Sequence, residues 1–81
     1  MNNQFSRSGR NWPDTPLSIG AAVRQARRNH GLTQTQLAGL AGTGLRFISE
    51  LERGKPSVAL DKTLSVLAVL GLRIQISAAK P

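Results

Sequence analysis

Thr33–Gly54 reads TQTQLAGLAGTGLRFISELERG, and this stretch decides the fold. Thr33 offers a side-chain oxygen to a helix N-terminus. Gln36, three residues on, can reach back to the N–H of Thr33, which gives the pair the form of a capping box. Leu37, Leu40 and Ala41 follow at helical spacing and are expected to face a core, while Ala38 is small enough for a second helix to cross close by. Gly42 breaks this helix where the chain must turn sharply, because a residue without Cβ adopts positive φ at little cost. A second helix is predicted to start near Gly44. Phe47, Ile48 and Leu51 form its apolar stripe, and Gly54 stands where a C-terminal capping glycine belongs. Leu45, Arg46, Ser49, Glu50 and Arg53 fall off that stripe, so they face solvent or a ligand.

Two short helices joined by a tight turn allow two readings. One is an ordinary helical hairpin inside a small bundle. The other is a DNA-binding helix-turn-helix, whose second helix enters the major groove. Charge favours the second. Eleven Lys and Arg stand against four Asp and Glu, a formal net charge of +7. A small domain this basic usually meets a polyanion.

Composition sets further bounds. Eighty-one residues suit one domain, and 40% hydrophobic residues suffice for a compact helical bundle. Without cysteine there is no disulfide framework and no thiolate metal site. One histidine and four acids leave little for catalysis, so no catalytic residue, metal or cofactor is expected. His30 reads as a helix-end residue rather than a ligand. No apolar run approaches the length of a membrane span and no signal-peptide core opens the chain, so a cytoplasmic protein without membrane contact is expected.

Outward from the central stretch, residues 1–14 are polar, carry Arg7, Arg10, Trp12 and Pro13, and show no periodicity. They are expected to form a flexible basic tail; the alternatives are an arm lying along DNA and a Trp12 folded back onto the domain. The domain proper is placed at 15–71. Its first helix is predicted to start at Thr15-Pro16, a cap followed by proline at the first helical position, and to end at Asn29-His30-Gly31. Ile19, Val23 and Ala26 make the inner stripe, and Arg24, Arg27 and Arg28 a basic face. A last helix is predicted over roughly 59–70. Leu60, Leu64, Val66, Leu67, Val69 and Leu70 spread wider than one stripe, which predicts burial on two sides, one against the core and one against a second subunit. After Gly71 the period becomes two: Leu72, Ile74 and Ile76 alternate with Arg73, Gln75 and Ser77. A lone strand leaves its backbone groups unpaired. Residues 72–81 are therefore expected to hold a dimerisation strand that pairs with its copy across a two-fold axis, with a frayed tail as the alternative.

LTQTQLAGLAGTGLRFISELERGK, residues 32–55, resembles the Cro/C1-type (XRE) helix-turn-helix family, typified by phage repressors. The likeness covers roughly Ser18 to Leu72. It implies an all-α fold: a small helical bundle of the phage-repressor-like type, here with a short C-terminal β-strand that pairs across a dimer. It also implies a salt bridge between Arg27 and Glu52 that clamps the first helix onto the recognition helix. By family position, Thr33 and Gln34 touch phosphate at a helix N-terminus, and Arg53 and Lys55 grip the backbone on the other side. Thr43, Gly44, Leu45, Arg46 and Ser49 line the major groove. Arg46 is the candidate for a bidentate guanine contact and Leu45 for a thymine methyl. Glu50 either accepts from a cytosine amine or holds Arg46 or Arg53.

The domain followed directly by GLRIQI is similar to HipB-type antitoxins. That resemblance implies a homodimeric repressor on a palindromic double-stranded operator, autoregulating its operon and binding a HipA-like kinase toxin. Leu45 and Glu50 on the base-reading face, and Gly44 in place of a polar N-cap, depart from the wider family. Two other readings stand beside this one: a stand-alone regulator, such as a phage-like repressor or restriction-modification controller, and an interaction module whose basic face no longer reads DNA.

Overall fold

A computed structural model describes residues 13–78. The readings placed on Arg7, Arg10 and Trp12 lie outside them. Four helices follow one another: α1 Pro16–Asn29, α2 Gln34–Ala41, α3 Leu45–Glu52 and α4 Leu60–Val69.

Local chemistry explains the boundaries. Thr15 caps α1 by accepting from the Ser18 N–H, Ser18 returns the bond to the Thr15 N–H, and Pro16 fills the first turn, where an amide hydrogen would have no helical partner. Thr33 caps α2 in the same reciprocal way with Gln36. Gly42 closes α2 at φ 71°, a left-handed turn that opens the way to α3.

The core is one cluster. Val23 comes from α1, Leu37 and Ala38 from α2, Ile48 and Leu51 from α3, and Val66 and Leu67 from α4, with Leu70 just beyond it. α2 packs on both α3 and α4, and α1 packs on α3. The α1–α3 crossing is close enough to require glycine: a Cβ on Gly20 would strike the Leu51 carbonyl oxygen and lie 2.9 Å from that of Glu52. Thr63 of α4 is polar yet buried, and its hydroxyl donates to the Ala59 carbonyl at 2.9 Å.

One expectation is corrected. Leu40 does not face the core; it is 63% exposed. At about 100° per residue, Leu37, Ala38 and Ala41 share one arc of α2, and Leu40 falls roughly 60° beyond its edge. On α4 the single chain covers one side only, leaving Leu60 and Leu64 exposed. The tail leaves α4 at Gly71 without regular secondary structure through residue 78. Leu72 packs against the core, whereas Ile74 and Ile76 are exposed. A ladder needs a second strand, and the described residues of one chain supply none.

Candidate nucleic-acid interface

The site is built around the carboxylate of Glu52, at the end of α3. Arg27 donates to it twice, from Nε to Oε2 at 2.6 Å and from Nη2 to Oε1 at 3.0 Å. The remaining amine, Nη1, donates to the Leu32 carbonyl at 2.9 Å, in the connection between α1 and α2. Gln34, first residue of α2, adds a third bond to Glu52, from Nε2 to Oε1 at 3.0 Å. One carboxylate thus joins α1, the α1–α2 connection, α2 and α3. The side chains of Arg27 and Glu52 are only 11% and 3% exposed. Burial pushes the Glu52 carboxyl up, but the hydrogen bonds from Arg27 and Gln34 outweigh it and hold the group below its ordinary value. The bond to Glu52 raises Arg27 in turn.

This junction presents the start of α2 to solvent. Thr33 accepts from the Gln36 N–H at 3.0 Å, and the Gln36 side chain accepts from the Thr33 N–H at 2.8 Å. Among the described residues nothing accepts from the backbone N–H groups of Gln34 and Thr35. They are the first two orphan donors of the helix, with its positive end behind them. The Gln34 side chain is directed inward to Glu52, so what this residue offers a phosphate is its backbone.

The outward face of α3 carries Leu45, Arg46, Ser49 and Glu50, with Arg53 and Lys55 just past its end. Gly44 caps α3 without a side-chain bond. Thr43 is half-buried in the turn, its N–H held by the Ala38 carbonyl at 2.9 Å. Leu45 is exposed, and Arg46 is the most exposed side chain of the face at 90%. Glu50 binds two cations, one per oxygen: Arg46 Nε at 3.2 Å and Lys55 Nζ at 3.3 Å. The bond from Lys55, joined by that from Arg46, keeps the Glu50 carboxyl below its ordinary value. Arg53 forms no ion pair among the described residues. Of the two partners expected for Glu50 within the chain, Arg46 is found and Arg53 is not; Lys55 takes that place. On α3's inner side Phe47 packs against the core, with Lys62 of α4 above its ring, 5.9 Å from the centroid.

Three features of the site were missed from sequence. Gln34 is an internal anchor, Lys55 folds back onto Glu50, and Arg24 of α1 lies near enough to Glu52 for its charge to favour the carboxylate. Of the expected dimerisation residues, Leu72 and Ile74 line, with Ile19, Ala22 and Leu67, a groove of about 500 Å³ apart from the α3 face, whereas Ile76 stands exposed outside it. Among the described residues no three His, Cys, Asp or Glu converge as a metal site, and no helix is long and apolar enough to cross a membrane.

Comparison with known proteins bears on this geometry. The Helix-turn-helix family profile matches residues 23–76. An uncharacterised HTH-type transcriptional regulator of Sinorhizobium fredii, y4mF, is 53% identical over 64 residues, spanning 79% of this chain and 84% of its own. A chain in the HipA-HipB-O2-O3 complex superposes with a TM-score of 0.76 at 24% identity, covering 88% of this chain and all of that one. The HipB-O4 20mer complex gives 0.75 at 25% identity with the same coverage.

Proposed function

The chain belongs to the helix-turn-helix family, of the Cro/C1 (XRE) type, and is a DNA-binding transcriptional regulator; from that premise we propose a dimeric, sequence-specific repressor that is the antitoxin of a HipA-like kinase toxin. The observation that carries the DNA-reading part is the pairing of two surfaces held rigid by Glu52: the free N–H groups at the start of α2 and the outward face of α3. The first binds phosphate and sets register; the second reads bases. Thr33 and Gln34 take a phosphate on one side of the groove, and Arg53 and Lys55 grip the backbone on the other. Thr43, Gly44, Leu45, Arg46 and Ser49 face the groove floor, with Arg46 on guanine and Leu45 against a thymine methyl.

The antitoxin part is supported by a HipB-like fold that extends over 88% of the chain. The tail strand, Leu72 to Ile76, pairs two copies and sets their recognition helices about 34–36 Å apart on a palindromic operator. The protein works without a cofactor, in the cytoplasm, where its operon lies.

Fluorescence anisotropy on the inverted repeat upstream of the chain's own gene, against a shuffled duplex, is the test. A preference of at least about a thousandfold is expected for the repeat, along with co-purification of a kinase encoded next door. Binding to the repeat without such a neighbour leaves the stand-alone regulator; no preference for the repeat refutes operator reading.

A further inference from the structure

Glu50 is the carboxylate that stands on the outward face of α3, among groups that meet a polyanion. Left to itself it would repel every phosphate nearby. Instead its two oxygens divide between two cations, Arg46 Nε at 3.2 Å and Lys55 Nζ at 3.3 Å. An arginine can be held by its Nε edge while its far end, the pair of terminal amines, stays available. That far end is the fork that matches guanine O6 and N7. No described residue engages the terminal amines of Arg46, whose side chain is 90% exposed. The bond at Nε favours the rotamers of this exposed side chain that keep it over Glu50.

We propose that Glu50 is a positioning residue for base readout: it holds Arg46 by Nε with the terminal fork free for guanine, and keeps Arg46 from random phosphates. The inference rests on the reading of α3 given above and goes beyond it by assigning discrimination to a carboxylate. On a wrong site a phosphate must compete with Glu50 for Arg46. On the right site the fork binds the base while Nε stays on Glu50, so the carboxylate costs least there.

The test uses the full chain and two duplexes: one enriched by the wild-type protein from a random-sequence pool, and its shuffled counterpart. In Glu50→Gln, binding to the shuffled duplex is expected to tighten and its salt slope to steepen by about one unit. Discrimination should fall about tenfold, the scale of one base contact. Glu50→Asp keeps the charge but cannot span both cations; it should lose discrimination without tightening on the shuffled duplex. In an Arg46→Ala background, Glu50→Gln should change the ratio less than about twofold, because Glu50 acts through Arg46. Equal tightening on both duplexes, an unchanged ratio in Gln and Asp variants, or a full loss that persists without Arg46 each overturns the proposal. If the wild-type chain itself discriminates no duplex, the reading of α3 fails and takes this inference with it; if it discriminates and Glu50→Gln does as well, only the role of Glu50 falls.

Discussion

Replacing Glu52 by alanine should come close to unfolding the domain. The carboxylate is 3% exposed and accepts three hydrogen bonds, two from Arg27 and one from Gln34. Its removal leaves a guanidinium, 11% exposed, with the Leu32 carbonyl as its remaining partner. Removing one partner of a buried pair costs about 3–5 kcal/mol, because the other charge stays behind desolvated. A domain of this size has roughly 4–12 kcal/mol in total. At about 4–8 °C per kcal/mol, the melting temperature should drop by at least about 12 °C. Replacing both partners, Arg27→Met with Glu52→Leu, should recover much of the loss, since no charge is then orphaned. Acid titration gives a second reading. Folding holds the Glu52 carboxyl below its ordinary 4.5, so its contribution is complete above that pH and is lost as pH falls through the lower folded value. Glu52→Gln should therefore show less loss of stability below about pH 4.5 than the wild type. Differential scanning calorimetry decides. A drop under about 4 °C for Glu52→Ala, the equivalent of roughly 1 kcal/mol, would refute the clamp.

Gly20→Ala should destabilise by about 1–3 kcal/mol in urea titration, because the new methyl meets the Leu51 and Glu52 carbonyls and α1 must move away from α3. Arg46→Ala should weaken the preferred duplex by about 1–3 kcal/mol and relax selection at one base; equal loss on random duplex would leave it only a phosphate contact. Arg53→Ala should weaken all duplexes alike and lower the salt slope by about one unit, measured as log K against log salt. Proline at Ile74 should turn a dimer into a monomer by removing a ladder donor. An unchanged dimer on ultracentrifugation would move the interface to the exposed Leu60 and Leu64 of α4.

The parts of the molecule legible in the sequence are those that local rules control. Thr33 and Gln36 form their capping box because three residues of helix bring them together, whatever surrounds them. Gly42 turns left-handed because it has no Cβ. Ile48 and Leu51 lie on one stripe of α3, and burial there follows from period alone. The bond between Arg46 and Glu50 is an i,i+4 pair and belongs to the same class. Arg27 and Glu52 are 25 residues apart, and no local rule joins them; their pairing came from the likeness to a family.

The sequence by itself determined that two short helices meet at a glycine turn, that the chain as a whole is strongly basic, and that it is of the Cro/C1 helix-turn-helix kind. Period, capping and charge act over a few residues, so one chain read in order contains them. Only the tertiary structure decided what depends on angles between helices. It turned the Gln34 amide inward to Glu52, left Leu40 in solvent although Leu37 and Ala38 of the same helix are buried, and brought Lys55 rather than Arg53 to Glu50. The physical reason is that a helix has one periodicity but many possible neighbours: which arc is covered, and which cation reaches a carboxylate, depend on where the next helix crosses. Where α1 meets α3, the close crossing depends on the side chain that Gly20 lacks.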